Sequence, residues 1–122
     1  MRARAGRAFK TAWFAKAAKK AHIGDSELCG ALREAQSGQA DDLGGGVLKK
    51  RLNDNMHRSL ILAKGGRYWV YAFLYAKKDR ANISPEELTG FRKLADSYAR
   101  MTASEAGIAV GNGDLLEICH DH

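Results

Sequence analysis

The sequence predicts an α+β domain: a small antiparallel sheet in the order β-α-α-β-β-β-α with helices packed against it. Three observations carry this. Gly44-Gly45-Gly46 ends any helix and hands over to Val47-Leu48-Lys49-Lys50-Arg51, where apolar and cationic residues alternate with the two-residue period of a strand. Gly65-Gly66 lies between two apolar runs and supplies the positive φ that a tight hairpin demands. Ser84-Pro85-Glu86-Glu87 is a capping box with proline at the first helical position. It opens a helix whose Leu88, Phe91, Leu94, Ala95 and Tyr98 share one face.

The elements follow in order. Residues 1–6 read as a basic flexible tail, 7–119 as one domain and 120–122 as a second tail. Phe9 to Ala12 suits a short first strand, and Trp13 to Ala21 an alanine-rich helix with lysines outward. Asp25 or Ser26 is placed to cap a second helix, with Leu28, Leu32 and Ala35 on one face and Gly38 as its stop. Three strands are expected near Val47–Leu52, Arg58–Lys64 and Tyr68–Ala76. The last alternates Trp69, Tyr71, Phe73 and Tyr75 with Val70, Ala72 and Leu74, so both faces are apolar and it belongs inside the sheet. Its aromatics read as core rather than as base-stacking groups. After the capping-box helix, a second box, Thr102-Ala103-Ser104-Glu105, starts a short helix that Gly111-Asn112-Gly113 ends, and Leu115 to Cys119 fits an edge strand.

Charge narrows the partners. The net charge is +6, but residues 1–22 carry seven Lys/Arg and no acid, and residues 47–80 carry nine against Asp54 and Asp79. Such segregation produces a field suited to phosphate backbones or an acidic protein. No apolar run approaches a membrane span, and the basic N-terminus lacks the apolar block of a secretory signal, although its Arg-rich, acid-free composition mimics a transit peptide. Cys29 and Cys119 stand far apart with no metal-ligand spacing, so two free thiols in a reducing compartment, and no metal or other cofactor, are expected.

If the strand starting near Arg58 pairs antiparallel with the glycine-led strand, Lys49, Arg51 and Arg58 share one exposed face. Arginine forks match phosphate oxygens, so Arg51 and Arg58 are the candidates to clamp a phosphate, with Lys49 beside them. His57 has the side-chain pKa nearest neutrality and is the candidate acid or base. Lys50, Lys77, Lys78 and Arg80 are candidates to grip a phosphate backbone. The glycine run lacks the Lys-Ser/Thr and helix of a P-loop and reads as a chain reversal. His120 and His122 read as inert tail residues.

Phe9-Lys10-Thr11, Leu28-Cys29, Asp42-Leu43-Gly44-Gly45-Gly46-Val47, Lys49, Arg51, Arg58, Ala76-Lys77 and Arg80-Ala81-Asn82-Ile83 together resemble the RelE/HigB-type toxins of bacterial type II toxin–antitoxin systems. The likeness is to the branch with a Leu-Gly-Gly-Gly-(Val/Ile)-(Ile/Leu)-Lys-x-Arg strand and spans residues 7–118; it sets the transit-peptide reading aside, since Phe9 to Phe14 falls inside the matched domain. It implies a microbial-ribonuclease type of fold and a cytoplasmic endoribonuclease that cleaves messenger RNA on the ribosome, which makes RNA the backbone expected at Lys50, Lys77, Lys78 and Arg80. It also implies a cognate antitoxin, of the helix-turn-helix kind, through which alone operator DNA would be reached. Two departures stand out. Leu52-Asn53-Asp54-Asn55-Met56 replaces a longer basic loop, with His57 where relatives have tyrosine, and Leu74 stands in place of glycine. A gyrase-directing relative of the ParE type, or an inactive RNA- or protein-binding module, are the competing readings.

Overall fold

A computed structural model describes residues 6–120; apart from Gly6 and His120, the two expected tails lie outside the described residues, and so does His122. The chain runs β1 (Arg7–Thr11), α1 (Ala12–Lys20), α2 (Asp25–Gln36), β2 (Asp41–Asp42), β3 (Val47–Leu52), β4 (His57–Leu62), β5 (Tyr68–Ala76), α3 (Pro85–Ala99), α4 (Ala103–Gly111) and β6 (Leu115–Ile118). The sheet order is β2-β3-β4-β5-β1-β6, so the apolar β5 does lie inside it. The domain is α+β as expected, with one departure from an antiparallel sheet. β1 joins β5 in parallel, because the helices and strands between them carry the chain back to enter β5 in the direction of β1.

Local chemistry explains the helix ends. Thr11 caps α1, its hydroxyl accepting from Phe14 N at 3.0 Å. Neither Asp25 nor Ser26 caps α2; Gly24 takes that position, and the Asp25 carboxylate instead accepts from Lys10 Nζ at 2.7 Å. Both capping boxes form as expected, Ser84 with Glu87 at the start of α3 and Thr102 with Glu105 at the start of α4.

The sheet buries both faces. On one, Phe14 and Ala18 of α1 and Leu28, Ala31, Leu32 and Ala35 of α2 pack on Ala8, Leu52, Ile61, Tyr71 and Leu74. On the other, Ala95 of α3 and Ala106 of α4 pack with Leu88, Phe91 and Tyr98 on Phe9, Val47, Leu60, Leu62 and Val70. Each fully buried Leu, Phe or Val contributes about 1.5–3 kcal/mol. A bulge between Leu60 and Ile61 shifts the β4–β5 register. The unbroken alternation expected for β5 therefore fails: Tyr71 lies with the α1–α2 layer and Phe73 with the α3–α4 layer.

The glycine run reverses the chain. Gly44, Gly45 and Gly46 have φ of 84°, 65° and 85°, and Arg92 of α3 donates from Nη2 and Nε to the carbonyls of Leu43 and Gly44. A Cβ at Gly46 would lie 2.8 Å from Lys64 Cα and 2.9 Å from Lys64 N, backbone atoms that cannot swing away. Gly46→Ala is therefore expected to cost at least about 2 kcal/mol, from the left-handed backbone and the clash together. Urea unfolding of the variant measures it, and an unchanged midpoint would contradict the reading.

One expectation is overturned outright. Cys29 and Cys119 are not free thiols but form a disulfide, Cα to Cα 5.6 Å across 90 residues of chain. Cys29 lies in α2 and Cys119 just beyond β6, and both pack at the margin of the same apolar layer. The sheet brings β6 beside β1 and under α2, a proximity that sequence spacing does not contain.

Candidate functional site

The two-residue period of β3 and β4 sorts the basic residues onto opposite faces. Val47, Lys49 and Arg51 point toward the α3 layer, and Lys50 points toward α2, where its Nζ meets Glu34 Oε1 at 2.9 Å and the Gln39 carbonyl at 2.8 Å. Arg51 stands directly across from Arg58, and Arg58 from Tyr75 of β5. Lys49, Arg51, Arg58 and Tyr75 thus share one face. Among the described residues none of the three cations has an ion-pair partner; Asp41 lies opposite Lys49 in the register without forming one.

The turn before β4 sets the Arg58 guanidinium. Asn53, Asp54 and Asn55 all have positive φ, at 56°, 51° and 70°, a conformation their short polar side chains tolerate better than others. The Glu27 carboxylate of α2 accepts from Asn53 N and holds the turn down. Arg58 Nη1 donates to the carbonyls of Asn55 at 3.0 Å and His57 at 3.2 Å. Nε and Nη2 make no hydrogen bond among the described residues, so part of the fork remains for another acceptor. Lys49 Nζ donates to Asn82 Oδ1 at 3.0 Å, which holds it beside the loop before α3.

His57 is not brought together with this group. Adjacent to Arg58 in the strand, it faces the opposite way, with Nδ1 3.2 Å from Asn53 Nδ2. Lys77 and Lys78 are exposed just beyond β5. Arg80 is not a free cation either: its guanidinium forks onto Glu87, donates from Nε to Asn82 O at 3.1 Å and lies 5.6 Å from the Tyr75 ring centre. His120 is exposed, its Nε2 2.9 Å from Glu117 O. Asn82 and Tyr75 are the members of the site that residue-type reasoning missed. Asn82 lay inside the Arg80-Ala81-Asn82-Ile83 motif, whereas Tyr75 looked like core.

Electrostatics follow the contacts. Hydrogen bonds from Arg80, then from the Ser84 backbone, hold the Glu87 carboxyl down at about 2. Burial pushes the Tyr75 hydroxyl up, against the opposing pull of Arg58 and Arg80. A carboxyl depressed in the folded state stabilises it fully above its ordinary unfolded value, and that stability is lost as pH falls through the folded value. The Arg80–Glu87 contribution is therefore complete above about pH 5 and disappears toward pH 2. Thermal melting of Glu87→Gln should fall less steeply than wild type across that window; parallel curves would show the pair to be inert.

No group of three or more His, Cys, Asp or Glu placed to hold a metal occurs among the described residues. No helix there is long and apolar enough to cross a membrane.

Fold and face define a class: a basic α+β domain in which helices flank a sheet and one face lifts fixed, unpaired cations beside a short turn. Within that class the chain belongs to the RelE family, since residues 6–118 match the family described as "RelE toxin of RelE / RelB toxin-antitoxin system". That family is one of toxins that are paired with an antitoxin. A 68-residue stretch, 56% of the chain, is also 29% identical to a protein named DNA mismatch repair protein MutS from Alkaliphilus oremlandii (strain OhILAs). That stretch spans 8% of the MutS protein. No solved structure matches the chain.

Proposed function

We propose that the protein is a ribosome-dependent endoribonuclease of the HigB-like branch, which cleaves messenger RNA in the cytoplasm and so stops translation. The observation that carries this reading is the Arg51–Arg58 pair, side by side on one face with Lys49 and, among the described residues, without carboxylate partners. Two like charges directly opposite repel, and a phosphate between them turns the repulsion into binding.

In the reaction the ribose 2′-oxygen loses its proton and attacks the adjacent phosphorus. The bond from phosphorus to the 5′-oxygen breaks, leaving a 2′,3′-cyclic phosphate, and the departing 5′-oxygen takes up a proton. Arg51 and Arg58 hold the phosphate oxygens as negative charge accumulates there, with Lys49 adding to the field. This face carries no imidazole among the described residues, since His57 looks away. We assign proton transfer to groups that the ribosome and the message bring into the site, in keeping with the proposed dependence on the ribosome. A cognate antitoxin, of the helix-turn-helix kind, silences the toxin and carries it to operator DNA.

Purified protein added to programmed ribosomes, with ends mapped by primer extension, tests the reading. Discrete cuts within the message are expected. Intact message combined with inhibited gyrase supercoiling would move the protein to a ParE-like role, and intact message with no growth arrest on expression would make it an inactive binding module.

A further inference from the structure

β5 outruns its neighbour. It pairs with β1 only as far as Lys10↔Tyr71, whereas β4 follows it to His57↔Ala76. α1 starts at Ala12 and crosses the gap, leaving a groove of about 750 Å³ between the helix and the end of the strand. Its walls are largely apolar, with Trp13, Ala17 and Met56 around Leu74 and Tyr75.

Three features of this groove have no role in the fold. Trp13 stacks on Phe73, ring centres 5.0 Å apart and 22° from parallel, yet remains 51% exposed. A core tryptophan would be covered. Tyr75, itself 7% exposed, keeps its hydroxyl buried with no hydrogen-bond partner among the described residues. Lys20, Lys77 and Lys78 rim the groove without ion pairs among the described residues, against Asp79 as the single carboxylate among the lining residues, while Arg80 is already matched by Glu87. An aromatic platform within a cationic rim suits a flat ring that carries a phosphate.

Its position decides between candidate occupants. Tyr75 is at once a wall of the groove and the cross-strand neighbour of Arg58, so the groove, whose remaining walls come from α1 and from Leu74 and His57 on the opposite layer, wraps the end of β5 and opens beside the face that holds Arg51 and Arg58. We propose that it is a base-binding subsite for one unstacked nucleotide of the RNA strand gripped by those arginines. Trp13 stacks on the base, and Lys77 and Lys78 hold the phosphates beside it. His57, left out of the clamp, lines this groove and contributes a polar edge for the base. The subsite rests on the RNA reading above and adds to it a contact with a base rather than with the backbone.

Binding of a labelled tetranucleotide tests it, with 2′-O-methyl groups throughout to block cleavage and versions lacking one base at each position in turn. Removal of one particular base is expected to weaken binding about tenfold, the usual worth of one base stacked on an aromatic side chain. Trp13→Ala should weaken the intact oligonucleotide by the same factor and leave that abasic version unaffected, and Trp13→Phe should restore most of the loss. Arg58→Ala should weaken every version equally. If Arg58→Ala weakens binding while Trp13→Ala and base removal do not, the subsite is refuted and the RNA clamp stands. If no version binds, the subsite falls, and cleavage on programmed ribosomes decides the RNA clamp separately. Should an acidic aromatic peptide quench the Trp13 fluorescence while RNA binds independently of Trp13, the groove belongs to a protein partner and the proposal is wrong.

Discussion

Arg58→Ala is expected, on the proposed reading, to lower message cleavage on programmed ribosomes by about 10²–10³-fold, the usual worth of one fixed donor to a developing anion. The same change leaves the fold within about 1 kcal/mol of wild type, because two opposing terms nearly cancel. Lost are the hydrogen bonds from Nη1 to Asn55, which is exposed, and to His57, which is half-buried; relieved is the repulsion from Arg51 directly across the ladder. Arg58→Lys keeps the charge and loses the fork, so it should recover only part of the rate. Cleavage is read by primer extension under single-turnover conditions, and stability by thermal melting of the same preparations. Cleavage within a fewfold of wild type would remove Arg58 from the chemistry. A large drop in melting temperature would recast it as a structural residue that holds the turn at residues 53–55.

Loss of the Cys29–Cys119 bond is the largest expected effect on stability. A crosslink between residues 90 apart removes much of the freedom of the unfolded chain, and for loops of this length the cost of losing it is about 4–5 kcal/mol. For a domain of this size that is a fall of roughly 10–20 °C in melting temperature. Cys119→Ser, and wild type under strong reductant, should show the same fall in urea and thermal unfolding, and reductant should add nothing to the variant. An unchanged midpoint in reductant would mean that the bond contributes nothing. The consequence for the cell is direct, because a bond so placed makes the stability of the protein depend on the redox state around it. The face that holds Lys49, Arg51 and Arg58 lies on the α3 side of the sheet, away from the bond, so on the proposed reading reduced protein that remains folded should still cut.

How much of the site could be read in advance follows from the range of the forces involved. The convergence of Lys49, Arg51 and Arg58 was legible because strand alternation and hairpin pairing are short-range rules, and the glycines at 44–46 and 65–66 marked both ends of the ribbon. The separation of His57 from Arg58 was also implicit in the two-residue period, since neighbours in a strand look opposite ways. The pairing of Arg80 with Glu87 was less visible. Glu87 announced itself as a capping residue, and nothing in a capping box shows that its carboxylate will also receive a guanidinium from the preceding loop. The groove at Trp13 was hidden altogether, for it depends on β1 stopping short of the end of β5.

By itself, then, the sequence determined the strands at residues 47–52 and 68–76, both capping boxes, the glycine turns and the alternation that lifts three cations onto one face. All of these are set by backbone sterics and hydrogen bonds within a few residues. Tertiary structure alone decided the parallel pairing of β1 with β5, the bulge that moves Phe73 to the α3 layer, the Cys29–Cys119 bond and the groove beside Arg58. Each joins segments far apart in the chain, and such meetings are selected by burying the two apolar faces of the whole sheet at once, a sum over the molecule that no local window contains.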